Sequence, residues 1–492
     1  MASISCSSWV VDMDKLLDDA NAQKEKGRWE KHYIYRVPEW MKTADPSAYS
    51  PRLVSLGPFH HGRGVLRPME EHKRRAMLHL VNRRSKKALQ EVVAAVAEVA
   101  EPLMEAYKGL REEKSWRGEK HKDRFVAMMV MDGCFLVEAM LWEKQDYAAD
   151  DPVFSDHGEL YVWPGIRQDI MLLENQLPLL LIKTILAVLY PTKYKKHRAI
   201  NKLILDLLNR RPHKKYTNNQ PGLHPLGILH SSFTYTLSTA VANNTKRGGQ
   251  PITRLFSWLN SRNPWHQEDR TRSREDNTSC AEKMCEAEST DDDEDDDDDD
   301  KDDDNDNDDN DNNTTSAQKM REAGIDFEKS ATDSFLDIHY DEQRGVLRMP
   351  RLRFYGHTQV MLLNFMAFER LHSVAGNVVT AYVYFMDDII DTAKDVELLK
   401  SKEIIDHEMG SDKELAMRFN DILSCNTIID DSSKLGEVRQ KVYAHCKKPW
   451  NKWRASLIEN HFSNPWVIIS LVIAAILLVA TLLQTVYTMF KP

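Results

Sequence analysis

The sequence predicts a mainly α-helical globular domain with a minor β component, carried in two blocks and followed by a single C-terminal transmembrane helix. Three observations predict it. Long helix-favouring stretches repeat their apolar positions with helical period. One short run between them alternates instead, broken by Gly345 and Pro350. A polar, acid-dense segment divides the helical stretches, with too little apolar surface to offset the entropy of ordering it.

The elements follow in order. Residues 1–30 are an N-terminal segment without the basic start of a secretory signal, and Asp12 and Asp14 interrupt its apolar residues. The first helical block spans 31–255. It opens with turns and short extended pieces, because Pro38, Pro51, Pro58 and Pro68 argue against helix. From Glu70 a long helix is expected, with Val92, Val96, Val99 and Leu103 on one apolar face and a kink or end at Pro102. Residues 124–144 are apolar almost all round and read as a central buried helix. Residues 166–190 read as another, or as a kinked pair broken by Pro178.

Residues 256–320 read as a disordered acidic linker. Its stretch 291–311 holds 17 acidic residues and one lysine. The net charge of −10 comes from there: without that stretch 65 basic residues face 59 acidic ones, so the rest is mildly basic. The tract reads as a solubilising spacer, with weak calcium binding or a basic partner as its functional alternatives. The second block, 321–462, begins with a small hairpin and continues in helices at 358–375, 378–400, 412–426 and 434–460.

Residues 463–489 are expected to cross a membrane. The 25 residues 466–490 carry no charge, and at about 1.5 Å each they exceed the roughly 30 Å hydrocarbon core. Lys441, Lys447, Lys448, Lys452 and Arg454 precede the span and only Lys491 follows it. The positive-inside rule then predicts that the bulk lies in the cytosol, and the lack of a secretory signal makes it read as a tail-anchored, single-pass protein, with the plasma membrane as the expected location. The exterior-facing alternative makes Asn243, Asn277, Asn312 and Asn313 glycosylation acceptors. Ser470 and Ala474 give a small-xxx-small hint and leave oligomeric state open.

Candidate chemistry is sparse. His60 and His61 in "LVSLGPFHHG" read as turn histidines, since adjacent side chains of an extended segment point to opposite faces and no second ligand pair has metal spacing. "DDIID", 387–391, has the spacing of a magnesium-diphosphate motif, and reads instead as an acidic helix face. Asp132, Glu138, Asp169, Glu174, Asn175 and Gln176 interrupt strongly apolar stretches. Buried carboxylates need partners, for which Arg74, Arg75, Arg124 and Arg167 are candidates. They are read as a structural polar cluster, satisfying backbone groups freed by Pro178 and Gly133. The alternative is a catalytic site of paired carboxylates. The six cysteines make no metal pattern, and Cys134 reads as a buried thiol. No phosphate-binding loop, nucleophile elbow or dinucleotide fingerprint occurs. Basic clusters such as "KYKKHR" lack aromatic interleaving, so no nucleic-acid partner is expected.

Nine stretches carry a resemblance: "YRVPEW", "YSPRLVSLGPFHHG", "MEEHKRR", "MMVMDGCFLVE", "DIMLLENQLP", "GVLRMPRL", "NFMAFE", "MDDIIDTAKDVELL" and "FSNPW", in that order. On these the chain resembles the plant domain-of-unknown-function 247 family over roughly residues 33–487, the linker excepted. The resemblance implies a plant membrane protein without established enzymatic activity. It also implies a link to pollen–stigma self-incompatibility, which some grass members have. The resulting expectation is a non-enzymatic, membrane-anchored recognition or signalling protein, with the bilayer and an unidentified protein as partners and no catalytic residues, metal or cofactor. An enzyme of unrecognised type using Asp132, Glu138, Asp169 and Glu174 is the alternative.

Overall fold

The computed structural model describes residues 31–84, 87–116, 120–142, 146–211, 216, 222–235, 316–423, 433–451, 453 and 465–489. The N-terminal segment, most of the expected linker with its aspartate tract, and all four glycosylation sequons lie outside them. The fold is mainly helical, as the periodicity predicts, with two small sheets. The described residues belong to one unit, Met1–Thr236 with Thr315–Pro492.

The first block is built around one helix. The expected long helix breaks into α1 (Arg67–Asn82), α2 (Ala88–Glu98) and α3 (Ala100–Glu105), and Pro68, expected to argue against helix, sits in the first turn of α1, where its missing N–H costs no hydrogen bond. The break at Val99 sits three residues before Pro102, whose missing N–H and ring forbid a continuous turn there. Then comes α4 (Lys120–Leu141), the expected central helix, with Phe125, Met129, Phe135 and Val137 fully buried. Two short helices follow, α5 (Asp156–Tyr161) and α6 (Trp163–Ile170). After a 3-10 turn at Leu173–Asn175 the chain resumes as α7 (Leu179–Leu189), bent 99° from α6, so the kinked-pair reading of 166–190 holds. Next are α8 (His197–Leu207) and α9 (Pro225–Ser231). Helices α1, α2, α7 and α8 pack around α4. Gly133 of α4 lets α7 approach: a Cβ there would lie 2.5 Å from Ile185 Cδ1.

The second block begins earlier than expected. Ser316 caps α10 (Ala317–Glu322), so residues 316–320 belong with the folded block rather than the linker. The expected hairpin is present as β2 (His339–Asp341) antiparallel to β3 (Val346–Met349). The structure adds what local pattern cannot show. β1 (Asp326–Lys329) pairs parallel with β3, and β4 (Leu352–Phe354) pairs parallel with the distant β5 (Ile405–His407).

Helix α11 (Thr358–Leu371) is the second central element, with every residue from Thr358 to Glu369 buried. It packs on α12 (Val378–Ile389), on α9, and on the 3-10 turns Pro46–Tyr49 and Leu173–Asn175 of the first block. The two blocks thus share one apolar core. The expected helix 378–400 is two, since Thr392 starts α13 (Ala393–Ser401) with a capping box. After it come α14 (Asp412–Met417), a π-helical turn Arg418–Leu423 and α15 (Lys434–Cys446).

The last helix is α16, Pro465–Met489. Its apolar stretch is Val472–Val486, and among the described residues no single helix is long and apolar enough to cross a membrane. The transmembrane assignment of 463–489 therefore does not follow from the fold.

Candidate functional site

The extended segment 33–60 sets the problem that the interior polar groups solve. Its prolines prevent helix, and its one bridge joins Ile34 to Tyr107. Buried backbone N–H groups without a ladder must find other acceptors. They find them on the corner between α6 and α7, where Pro178 ends one direction of chain and starts another.

Asp169, in the last turn of α6, accepts three consecutive backbone N–H groups: Arg52 at 2.9 Å on Oδ1, Leu53 at 2.7 Å and Val54 at 2.8 Å on Oδ2. Asn175 accepts from Leu56 N at 2.7 Å and donates to the carbonyls of Val54 and Asp169 at 3.0 and 2.9 Å. Gln176 donates to the carbonyls of Ile170 and Leu172, closing the α6 end, and accepts from Leu226 N at 2.8 Å. Glu174 accepts from Val37 N at 2.8 Å and pairs with Lys42 Nζ at 2.9 Å. Asp132, on α4, accepts from Gly57 N at 2.8 Å and pairs with the fully buried Lys73 at 2.5 Å, while Lys73 also donates to the Ser55 carbonyl. Gly57 has φ 75°, and a Cβ there would lie 2.7 Å from Tyr107 Oη, so glycine is required where the segment turns.

The two histidines part company. His60 is buried, with Nε2 3.3 Å from Glu174 Oε2. His61 is half-buried, 6.0 Å from the Trp116 ring centre to centre. Both lie in the turn the Gly-Pro step predicts, and burial pushes both imidazoles below the ordinary pKa, leaving them neutral at pH 7.

The electrostatics follow from the donors. Burial pushes Asp169 up, more than its three N–H partners push it down. Burial alone would raise Glu174 too, but His60, Lys42 and Val37 N outweigh it and hold the carboxyl below its usual range. Burial alone would lower Lys73, but Asp132 and Glu70 outweigh it and keep the ammonium charged.

The structure brings five of the six predicted residues together and separates the sixth. Glu138 lies six positions beyond Asp132 on α4, off its face. It contacts Arg83 and accepts from Tyr147 Oη at 2.8 Å. The expected arginine partners also fail. Arg75 pairs with Asp151, Arg124 covers the Trp116 ring and Arg167 donates to the Leu207 carbonyl. The cluster's cations are Lys73, Lys42 and Arg36 instead, and Arg83 serves the separated Glu138. At Gly133 a Cβ would meet Ile185 and Leu181, so the glycine serves close helix packing.

Sequence reading missed Asn364 and Glu369 on α11. Asn364 accepts from Leu173 N and donates to the Ala48 carbonyl, both at 2.8 Å, joining the blocks. Glu369 accepts from Val379 N and Thr380 N at 2.8 Å, an anion at the start of α12, and faces His230 Nε2 at 2.8 Å. Their signal was present in "NFMAFE", two polar residues inside an apolar helix. The "DDIID" aspartates do not share a helix face: Asp387 and Asp388 end α12, Asp391 lies beyond it, and Asp388 pairs with Arg439 at 2.5 Å. Among the described residues no group of three His, Cys, Asp or Glu side chains could hold a metal ion. Cys134 is fully buried, its thiol pushed up to about 12.

Asp132, Asp169 and Glu174 do not line either of the two cavities found among the described residues. The larger cavity, about 350 Å³, lies elsewhere, lined by Arg210, Arg211, Arg351 and Arg353 among others. No local motif marks those four arginines.

Comparison with known proteins gives the chain its relatives. It is 25% identical over 463 residues to a UPF0481 protein of Arabidopsis thaliana, covering 92% of this chain and 85% of that one. It is 20% identical over 533 residues to a putative UPF0481 protein of the same plant, covering 98% and 95%. No solved structure matches it. The family model described as plant protein of unknown function, DUF247, matches residues 34–480, and the chain belongs to that family.

Proposed function

We propose that this protein is a non-enzymatic, membrane-anchored recognition or signalling protein, engaging a protein partner rather than nucleic acid. The observation that carries the reading is the use of the interior acids. Asp132, Asp169 and Glu174 spend their oxygens on backbone N–H groups and on Lys73 and Lys42, so these three hold a segment in place and are not free for acid–base work.

Anchoring is supported by the surface of α16. Ile473, Ile476, Leu477, Leu482 and Leu483 are more than half exposed, on all sides of the helix. Exposed apolar area costs about 25 cal/mol per Å² in water, which a lipid environment removes. Trp450 and Trp453, 75% and 74% exposed, and the lysines beside them precede it, a composition suited to a membrane interface. The charge asymmetry favours an orientation with the bulk cytosolic. The family resemblance extends the reading to pollen–stigma self-incompatibility.

Topology is the test. The full chain is expressed in plant cells, and glycosidase sensitivity and protease protection are read together. The expected result is no glycan, digestion only after the membrane is opened, and carbonate-resistant membrane association. Release by carbonate would refute the anchor. Glycan on Asn277 or Asn312 would refute the orientation and make the domain an exterior recognition surface.

A further inference from the structure

We propose that the arginine-lined cleft binds a small amphipathic organic anion, a carboxylate or phosphate head on an apolar body. The cleft is about 350 Å³, the size of small-ligand pockets. Met171, Leu208, Leu229, Phe335 and Met361 give it apolar walls. Four arginines are among its lining residues, against one acidic residue, Asp333.

The four arginines are not equivalent. Arg210 is fixed: it pairs with Asp333 at 2.7 Å, donates to the Ser232 carbonyl at 2.9 Å and lies 3.7 Å over the Phe233 ring. Arg351 pairs at 2.7 Å with Asp406, which is not part of the lining. Arg211 and Arg353 are exposed and have no ion-pair partner among the described residues. The lining therefore carries surplus positive charge, on planar forks suited to carboxylate or phosphate oxygens.

Local backbone adds to this. Helix α8 ends at the cleft, but its last carbonyls are occupied: Leu205 O accepts from Arg210 N and Leu207 O from Arg167 Nε. Asn209, at φ 54°, makes the left-handed turn that swings Arg210 and Arg211 into place. Helix α11 begins at the cleft through His357 and Thr358, presenting its partially positive end. Glu408 is the acid felt by His357 and lies outside the lining. Charged groups on a convex face are usually only solvated; these converge on a concavity with apolar walls, which selects an anion with an apolar body.

The test uses the full chain in nonionic detergent at low salt, titrated calorimetrically with 1-naphthyl phosphate, 1-naphthoate, neutral 1-naphthol and inorganic phosphate. The expected result is saturable one-to-one binding of either naphthyl anion, with 1-naphthol and inorganic phosphate at least about tenfold weaker. The double variant Arg211→Gln, Arg353→Gln loses at least about tenfold in affinity with its thermal unfolding midpoint unchanged. The proposal is overturned by no saturable binding of either anion up to about 1 mM, by a double variant that binds as tightly as the parent, or by a neutral or apolar-free probe that binds equally well.

Discussion

Charge is handled in opposite ways in two regions of this molecule. Around the α6–α7 corner, acids are buried and saturated: Asp169 alone holds three backbone N–H groups of the 52–54 stretch. At the cleft, cations are open and in surplus: Arg211 and Arg353 face one lining carboxylate that Arg210 already holds. The first arrangement stabilises a fold, because removing any partner strands a buried group. The second contributes little to the fold and stays available to a ligand. The location of the chemistry, not its residue types, separates a structural site from a binding one.

The comparison breaks most sharply at Asp169. Asp169→Ala orphans three backbone N–H groups, that of Val54 buried, and is expected to cost about 3 kcal/mol, seen as loss of folded protein or a large drop in urea midpoint. A cost under about 1 kcal/mol would mean that the 52–54 stretch is held by something else. Lys73→Met leaves Asp132 as an unpaired buried charge and should cost about 3–5 kcal/mol. Adding Asp132→Asn should recover part of that loss, read as a coupling energy in a double-mutant cycle. Glu369→Gln weakens the start of α12 by about 1.5–3 kcal/mol, with faster hydrogen exchange at Val379 and Thr380 as its local signature.

At the other pole, Arg211→Gln and Arg353→Gln should change stability by no more than about 0.5 kcal/mol each while weakening anion binding. Any larger destabilisation would place these arginines in the fold. A pH dependence accompanies these effects. Burial beside Asp388 and Asp391 raises Asp387 from 3.8 to about 7. A raised carboxyl binds more protons folded than unfolded, so its stability contribution is full below 3.8 and is lost as pH rises to about 7. Asp387→Asn should flatten that decline. Glu174 has the opposite sign: its depressed carboxyl stabilises above 4.5 and loses that contribution as pH falls through the folded value.

Much of the helical framework was legible in the sequence because helices are local. The apolar period around Val92 and Val96, the all-round apolarity of 124–144 and the break at Pro178 each constrain backbone within a few turns. The polar interruptions at Asp132, Asp169, Glu174, Asn175 and Gln176 were legible for the same reason, since a polar residue in an apolar helix must be satisfied. Their partners were not legible. The choice of Lys73 over Arg74 or Arg75 depends on which face of α1 meets α4, and Glu138 parts from Asp132 because six residues turn it off that face.

The sequence by itself determined most of the helical stretches, the turn at Gly57–Pro58, the acid-dense divider between the blocks, and that Asp132, Asp169, Glu174, Asn175 and Gln176 must be satisfied indoors. Those follow from steric limits on backbone and from the cost of burying polar groups, both of which act over short stretches of chain. Only the tertiary structure decided who satisfies whom, that β4 pairs with β5 some fifty residues on, and that Arg210, Arg211, Arg351 and Arg353 share one cleft. Such groupings depend on contacts between residues far apart in sequence, which the packing of α11 between the two blocks creates and no local period encodes.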